Sequence, residues 1–301
     1  MILVDNRNST NPYLNLALEE FLIRQADCTE RDLLLLYINE PCIVLGKNQS
    51  IYKEVNFDYL RNNTLKLCRR ISGGGTVYQD LGNLSFCFIT RFTDKKINNY
   101  EWFNRPVIAA LKAIGVEAEM DARNSILCKG KKISGNAQFT NRKNIISHGT
   151  LLFNADLNTL RACLKPNAFK VESKAVESVS NSVRNMDAET TAVKTTEELK
   201  TYLQNALQTT EVMQLSDDDW EVIQKSADEK FRSFEWIYGR SPLTKIDKGD
   251  IQLEIEDGKI RSITGNETET LQLQGARYQY DDIKKALENH PNASAMLQAI
   301  F

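Results

Sequence analysis

Arg69-Arg70-Ile71-Ser72-Gly73-Gly74-Gly75-Thr76-Val77-Tyr78 decides how the chain is read. Three consecutive glycines let a backbone curl and bring its N–H groups against a ligand oxygen, where a Cβ would obstruct the approach. Strand-like segments lie on both sides and two arginines abut the turn. Arg70 can offer a planar, permanent cation to a phosphate or carboxylate. A plain hairpin turn with surface arginines satisfies the same letters. Two nucleotide-binding patterns are excluded: no G-x-x-x-x-G-K-[ST] occurs, and Tyr78 stands where G-x-G-x-x-G needs its last glycine.

Outward from the turn, the pattern is mixed. Upstream, Asn11 can cap a helix with Pro12 at its first position and Leu14, Leu18, Phe21 and Leu22 as its apolar stripe. Strands are predicted over Leu33–Ile38, Ile43–Leu45, Leu65–Cys68 and Leu84–Ile89, the last alternating as a half-buried strand does. A helix follows over Val107–Ile114, with Pro106 near its start and Gly115 ending it. Further strands fall near Ile126–Cys128, Ile133–Phe139 and Thr150–Phe153. Lys165–Glu189 is polar and weakly periodic, which predicts a long loop able to act as a lid. Capping boxes at Thr195–Glu198 and Ser216–Asp219 then open two helices. After Tyr238–Pro242 the style changes to a hairpin turned at Asp257-Gly258, followed by two short helices. Two domains are expected, 1–243 and 244–301.

Composition narrows the classes. The 301 residues carry 38 Lys plus Arg against 40 Asp plus Glu, a net charge of -2. That balance supplies no basic field for a nucleic acid, so an anionic ligand must meet a local cluster of cations. No apolar run approaches the ~20 residues that span a bilayer, and the N-terminus lacks a signal-peptide pattern. Cys28, Cys42, Cys68, Cys87, Cys128 and Cys163 are scattered without a C-x-x-C pair, as buried thiols of a cytoplasmic protein are. With His148 and His290 the only imidazoles, no side-chain metal site is predicted.

Two more elements bear on chemistry. In Lys129-Gly130-Lys131-Lys132-Ile133-Ser134-Gly135, a turn leads into a strand on which Lys132 and Ser134 share a face. A solvated hairpin tip and a lysine held against a reacting anion both fit it. Ser147-His148-Gly149-Thr150 places a histidine before a glycine, as readily structural as catalytic.

Taken together, these motifs resemble the lipoate–protein ligase family of the biotin/lipoyl ligase superfamily. The resemblance rests on residues 69–83, 131–138 and 148–157. It is supported by Asn11–Glu20, Leu45–Gln49, Ser178–Asn185 and Trp236–Pro242, all in the family's order. It implies an α/β (α+β) fold, a mixed sheet flanked by helices, with a small C-terminal α+β accessory domain. It implies a two-step reaction in which lipoate attacks the α-phosphate of ATP, with Mg²⁺, and an acceptor lysine then attacks lipoyl-AMP. Carried over residue by residue, Arg70, Gly75, Thr76, Val77, Tyr78 and Lys132 meet the nucleotide, and Lys132 is the catalytic residue. Ser72, Gly73, Gly74, Gly135, His148 and Thr150, again with Lys132, meet lipoate. The implied acceptors are lipoyl domains of 2-oxoacid dehydrogenase acyltransferase subunits and the glycine cleavage H protein, served by a monomer.

This chain departs from the family pattern twice. Gln79 stands where the family usually has His, and Ser125, after Asn124, where it usually has Asp. Gln79 and Asn83 on one side, and Asn124 and Ser125 on the other, are therefore expected near the site with unassigned roles. The alternatives are a degenerate ligand-binding paralogue and an octanoyl or lipoyl transferase. The latter needs a cysteine nucleophile, and Ile145 occupies the position three residues before His148-Gly149 where one such group carries its thiol.

Overall fold

The computed structural model describes residues 1–164, 169–178, 182–186, 192–209, 211–265 and 273–301. Its centre is a six-stranded mixed sheet. Across it run Asn136–Thr140, Asn144–Leu152, Asn83–Arg91, Leu33–Ile38, Ile2–Val4 and Glu211–Met213. The first three junctions are antiparallel and the last two parallel.

Helices cover both faces. On one, Leu34, Leu36, Phe86 and Phe88 pack with Phe103, Val107 and Leu111 of the helix Tyr100–Ala113. On the other, Leu33, Leu35 and Cys87 pack with Leu18 and Leu22 of the helix Pro12–Gln25. Asn11 starts that helix as predicted, its side chain accepting from Tyr13 N–H. Double coverage overturns the half-buried reading of Leu84–Ile89. Ser85 and Cys87 are as buried as the phenylalanines, so alternation there sorts the residues between two cores.

Other corrections concern boundaries. The helix expected from Val107 begins at Tyr100, capped by Asn99, and carries Pro106 in its interior; Gly115, at φ +92°, follows its end. Ile133–Phe139 is two strands. Lys131–Ser134 belongs to a small sheet with Ile126–Cys128 and Ala118–Met120, and after Gly135 the chain joins the central sheet. The change of sheet falls at Gly135, and sequence alternation alone runs through it.

A second four-stranded sheet holds Lys170–Ser173, Thr244–Asp247, Ile251–Glu256 and Lys259–Gly265. Asp257 and Gly258 turn its hairpin, both at positive φ. Its first strand lies in the stretch read as a loop, four residues being too few to show a period. Tyr278 meets Tyr52 edge-on at 5.4 Å, within an apolar cluster that joins this sheet and its helices to Ile43, Leu45 and Ile51. All six cysteines are buried with free thiols. Among the described residues no helix is long and apolar enough to cross a membrane.

Candidate active site

The glycine turn is not a hairpin. Strands Lys66–Arg69 and Val77–Gln79 lie on opposite sides of Cys42–Leu45, the first parallel to it and the second antiparallel. The turn therefore crosses the end of a third strand and meets the loop after it. Gly74 sits at φ +87°, where a side chain is strained. A Cβ on Gly46 would lie 2.0 Å from the Gly74 carbonyl oxygen, so this crossing requires two bare backbones in contact. Gly46→Ala is expected to destabilise the protein by about 1–3 kcal/mol through overpacking. Chemical denaturation of the two proteins checks it; unchanged stability would mean that the loops part easily.

Beneath the turn a cleft of about 330 Å³ opens, at the small end of ligand pockets. Several expected residues line it together. Arg70, Gly74, Gly75, Thr76, Val77 and Gln79 come from the turn and its strand. Ser125, Lys132, Gly135, His148 and Thr150 face them. Five others do not line it. Tyr78 alternates away from Val77 and Gln79 into the apolar cluster and bonds Asp80. Ser72 is fully buried behind the wall, and Gly73 lies outside the lining. Asn83 is buried on the central sheet, its amide without a hydrogen-bond partner among the described residues. Asn124 turns the chain at φ +64° and offers its carbonyl to Asn136.

Arg70 is committed to the turn. Nε donates to Ser72 Oγ (3.0 Å), Nη1 to the Val44 carbonyl (3.2 Å), and Nη2 to the carbonyls of Gly73 (2.6 Å) and Gly75 (2.8 Å). Burial pushes its pKa down to about 10, and the Glu19 carboxylate opposes that shift. The guanidinium shapes the loop while one face remains on the cleft.

Lys132 is half-buried and lies across Gly135, whose absent Cβ would meet Nζ at 3.2 Å. Burial lowers its pKa; Asp121 raises it and Arg70 lowers it further. Asp121 accepts from the Arg123 and Ser125 backbone N–H groups at 2.9 and 2.7 Å. A carboxylate thus acts on Lys132 from position 121, although position 125 is a serine. Lys131, next on the strand, is exposed.

His148 sits in the middle of a buried polar chain. Nδ1 lies 2.8 Å from Glu19 Oε2, and Nε2 lies 2.7 Å from Ser72 Oγ. Tyr37 O–H donates to Glu19 Oε1 at 3.0 Å, and the Cys87 thiol also bonds that carboxylate. Glu19, Cys87 and His148 bring three potential metal donors within 4.8 Å, a grouping the sequence reading did not anticipate. Glu19 and Tyr37 were missed as site residues, though a signal existed. Glu19 falls between Leu18 and Leu22 on the buried face of its helix, where an acid demands a partner.

The expected lid falls partly outside the described residues. Of its described parts, Phe169–Ser178 and Ser182–Met186, two points touch the site. Ser178 Oγ accepts from Thr76 N–H at 2.8 Å and from Gln49 Nε2 at 3.0 Å, and bonds the Glu54 carboxylate. Beyond it, Lys132 N–H donates to the Ser182 carbonyl and Arg184 N–H to the Lys132 carbonyl, each at 3.0 Å. Ser178 thus holds the glycine turn, with Val176 and Glu177 beside it on the cleft lining, and Ser182 and Arg184 pair with the lysine strand.

Lined by a glycine turn and Lys132, the cleft on this doubly covered mixed sheet is that of an α/β ligase. Within that class the chain belongs to the lipoyl protein ligase A/B catalytic domain family, whose model matches residues 11–208. The lipoate-protein ligase LplJ of Bacillus subtilis is 39% identical over 274 residues, covering 86% of this chain and 82% of its own. Among solved structures, P. falciparum LipL1 in complex with lipoate superposes with a TM-score of 0.67 at 22% identity, covering 99% of both chains. A lipoate-protein ligase A bound with ATP gives 0.65 at 24% identity, over 80% of this chain and 98% of that one.

Proposed function

We propose that the protein is an ATP-dependent lipoate–protein ligase. It activates lipoate to lipoyl-AMP and transfers the lipoyl group to a lysine of a lipoyl domain. The observation that carries this reading is Lys132: a half-buried ammonium without an ion-pair partner among the described residues, across the mouth of a cleft with an inward glycine turn. Family membership and the B. subtilis relative support it.

The chemistry follows from charge. A carboxylate and a triphosphate repel, so their approach needs fixed cations that do not reorganise during reaction. Lys132 supplies one between the lipoate carboxylate and the α-phosphate. Arg70, already locked by four protein acceptors, adds field without moving. The carboxylate oxygen attacks phosphorus and pyrophosphate leaves. The acceptor amine then attacks the acyl carbon, polarised by Lys132, and AMP leaves. Among the described residues the only carboxylate on the cleft lining is Glu177, so Mg²⁺ is best carried in by the phosphates rather than by a protein cage. Acceptors of both kinds, 2-oxoacid dehydrogenase lipoyl domains and the glycine cleavage H protein, a monomeric state and a cytoplasmic setting complete the proposal. So does a division into 1–243 and 244–301, with Lys170–Ser173 as the strand that the first part lends to the second.

Purified protein with lipoate, ATP, Mg²⁺ and an apo lipoyl domain tests the reading. Lipoate-dependent pyrophosphate release and an acceptor heavier by one lipoyl group are expected. Acceptor modification without ATP would replace the ligase by a transferase.

A further inference from the structure

Gln79 lies in a row of buried side chains whose hydrogen bonds have one direction. Glu19 accepts only, so Tyr37 O–H must donate to it, as it does at 3.0 Å. The Tyr37 oxygen is then left to accept from Ser85, its cross-strand partner. Ser85 Oγ in turn accepts from Gln79 Nε2 at 3.2 Å. That turns the Gln79 carbonyl toward Asn39 Nδ2, 2.6 Å away, and Asn39 Oδ1 toward Asn15 Nδ2, 2.7 Å away. Every donor points to Glu19. From the other side, Arg70 Nε donates to Ser72 Oγ, and His148 bridges Ser72 Oγ and the same carboxylate through its two ring nitrogens.

Resting on the ligase reading above, we propose that Gln79 is a positioning residue for the acyl substrate. It passes the hydrogen-bond direction from Asn39 to Ser85, and so fixes Tyr37 in the cleft wall against the buried Glu19 behind it. Gln79, Ser85, Tyr37 and His148 all line the cleft, so the relay is the wall on which an acyl chain lies. A neutral histidine could do the same, accepting with one ring nitrogen and donating with the other. An imidazolium could not, having two donors and no acceptor. Glutamine at position 79 therefore performs the relay of a neutral histidine and holds it when the pH falls.

The titratable and charged groups facing this row are Glu19 from the first helix, Tyr37, Cys42 and Cys87 from three strands, His148, and Arg70. Burial pushes the Tyr37, Cys42 and Cys87 acids up, so they keep their protons throughout the range in which a histidine titrates.

Two variants and two readouts test the proposal: steady-state kinetics with lipoate, and calorimetric lipoate binding without ATP. Gln79→Leu takes the acceptor from Asn39 Nδ2 and the donor from Ser85 Oγ, and is expected to raise KM for lipoate about tenfold with kcat nearly unchanged. Gln79→His is expected to restore the wild-type KM near pH 8. At about pH 5.5, below the ordinary histidine pKa of ~6.5, its KM should rise relative to wild type at the same pH. Should Gln79→Leu not fold, Ser85→Ala interrupts the same relay and is expected to raise KM likewise. An unaltered KM and lipoate affinity in Gln79→Leu, or in Ser85→Ala where that variant stands in, would overturn the positioning role. So would a Gln79→His to wild-type ratio that does not change with pH. Lipoate binding by wild type without lipoate-dependent pyrophosphate release would instead overturn the ligase reading, and the calorimetric ratios would still judge the relay.

Discussion

Lys132→Ala is expected to lower lipoyl-adenylate formation about 10²–10³-fold, the cost of removing one preorganised charge at a developing anion. The ammonium is half-buried across Gly135, where burial already depresses its pKa and bulk water screens it poorly. At ~4 Å and an effective dielectric near 20, a single such contact has a Coulomb energy of about 4 kcal/mol. Lys131 controls for net charge: it lies next on the strand, exposed and on the other face, so Lys131→Ala should retain most activity. Pyrophosphate release at saturating lipoate and ATP measures both, with melting curves to show that each variant is folded. Equal losses from the two lysines would mean that diffuse positive charge matters and that position 132 has no special part.

The depressed pKa gives a further check on sign. Lowering by burial acts against the charged form, so Lys132 loses its proton at a lower pH than an exposed lysine would. Activity that depends on its charge should therefore fall on the alkaline side, earlier than an ordinary lysine pKa of ~10.4 would give. Asp121 opposes this shift, so Asp121→Asn should move the alkaline limb to still lower pH.

Much of the fold was legible because long elements carry their own signals. Asn11-Pro12 gives a cap and a first turn, and Leu33–Ile38 is buried on both faces and reads as unbroken apolar sequence. Elements that depend on partners were not legible. Lys170–Ser173 is a strand because Thr244–Asp247 pairs with it, and Cys87 is buried because a second helix layer covers it. The site divides in the same way. The glycine turn, Lys132 and His148 announce themselves by composition at short spacing. Glu19, Tyr37 and Ser178 reach the site from three distant segments, and their roles appear only when the strands are in register. The Tyr78 side chain leaves the cleft lining because of the period of two: a motif of consecutive letters places neighbours on opposite faces of a strand.

Arg69→Met should cost about 3 kcal/mol or more of stability, because each buried acceptor stripped of its partner costs ~1–3 kcal/mol. Arg69 is wholly buried and its guanidinium meets carbonyls rather than a carboxylate. Nη1 donates to Gly46 and Gln49 at 2.9 and 2.8 Å, and Nη2 to Ile237 at 2.5 Å. Nε reaches Trp236 and Ile237, both at 3.0 Å, and Trp236 Nε1 returns a bond to the Arg69 carbonyl at 2.7 Å. Burial pushes the Arg69 pKa down to about 10, so removing the charge also relieves a desolvation cost. The carbonyls decide the balance, since they stay behind and methionine offers them nothing. Arg69→Lys should recover only part, its three donors radiating from one point where the guanidinium fork spans two segments. The damage should reach the site as well, because Gly46 is the residue on which Gly74 rests. Urea denaturation of the three proteins, with lipoate binding measured on each, checks the order arginine, lysine, methionine. Equal stability of Arg69→Met and wild type would show that the two segments hold each other without this residue.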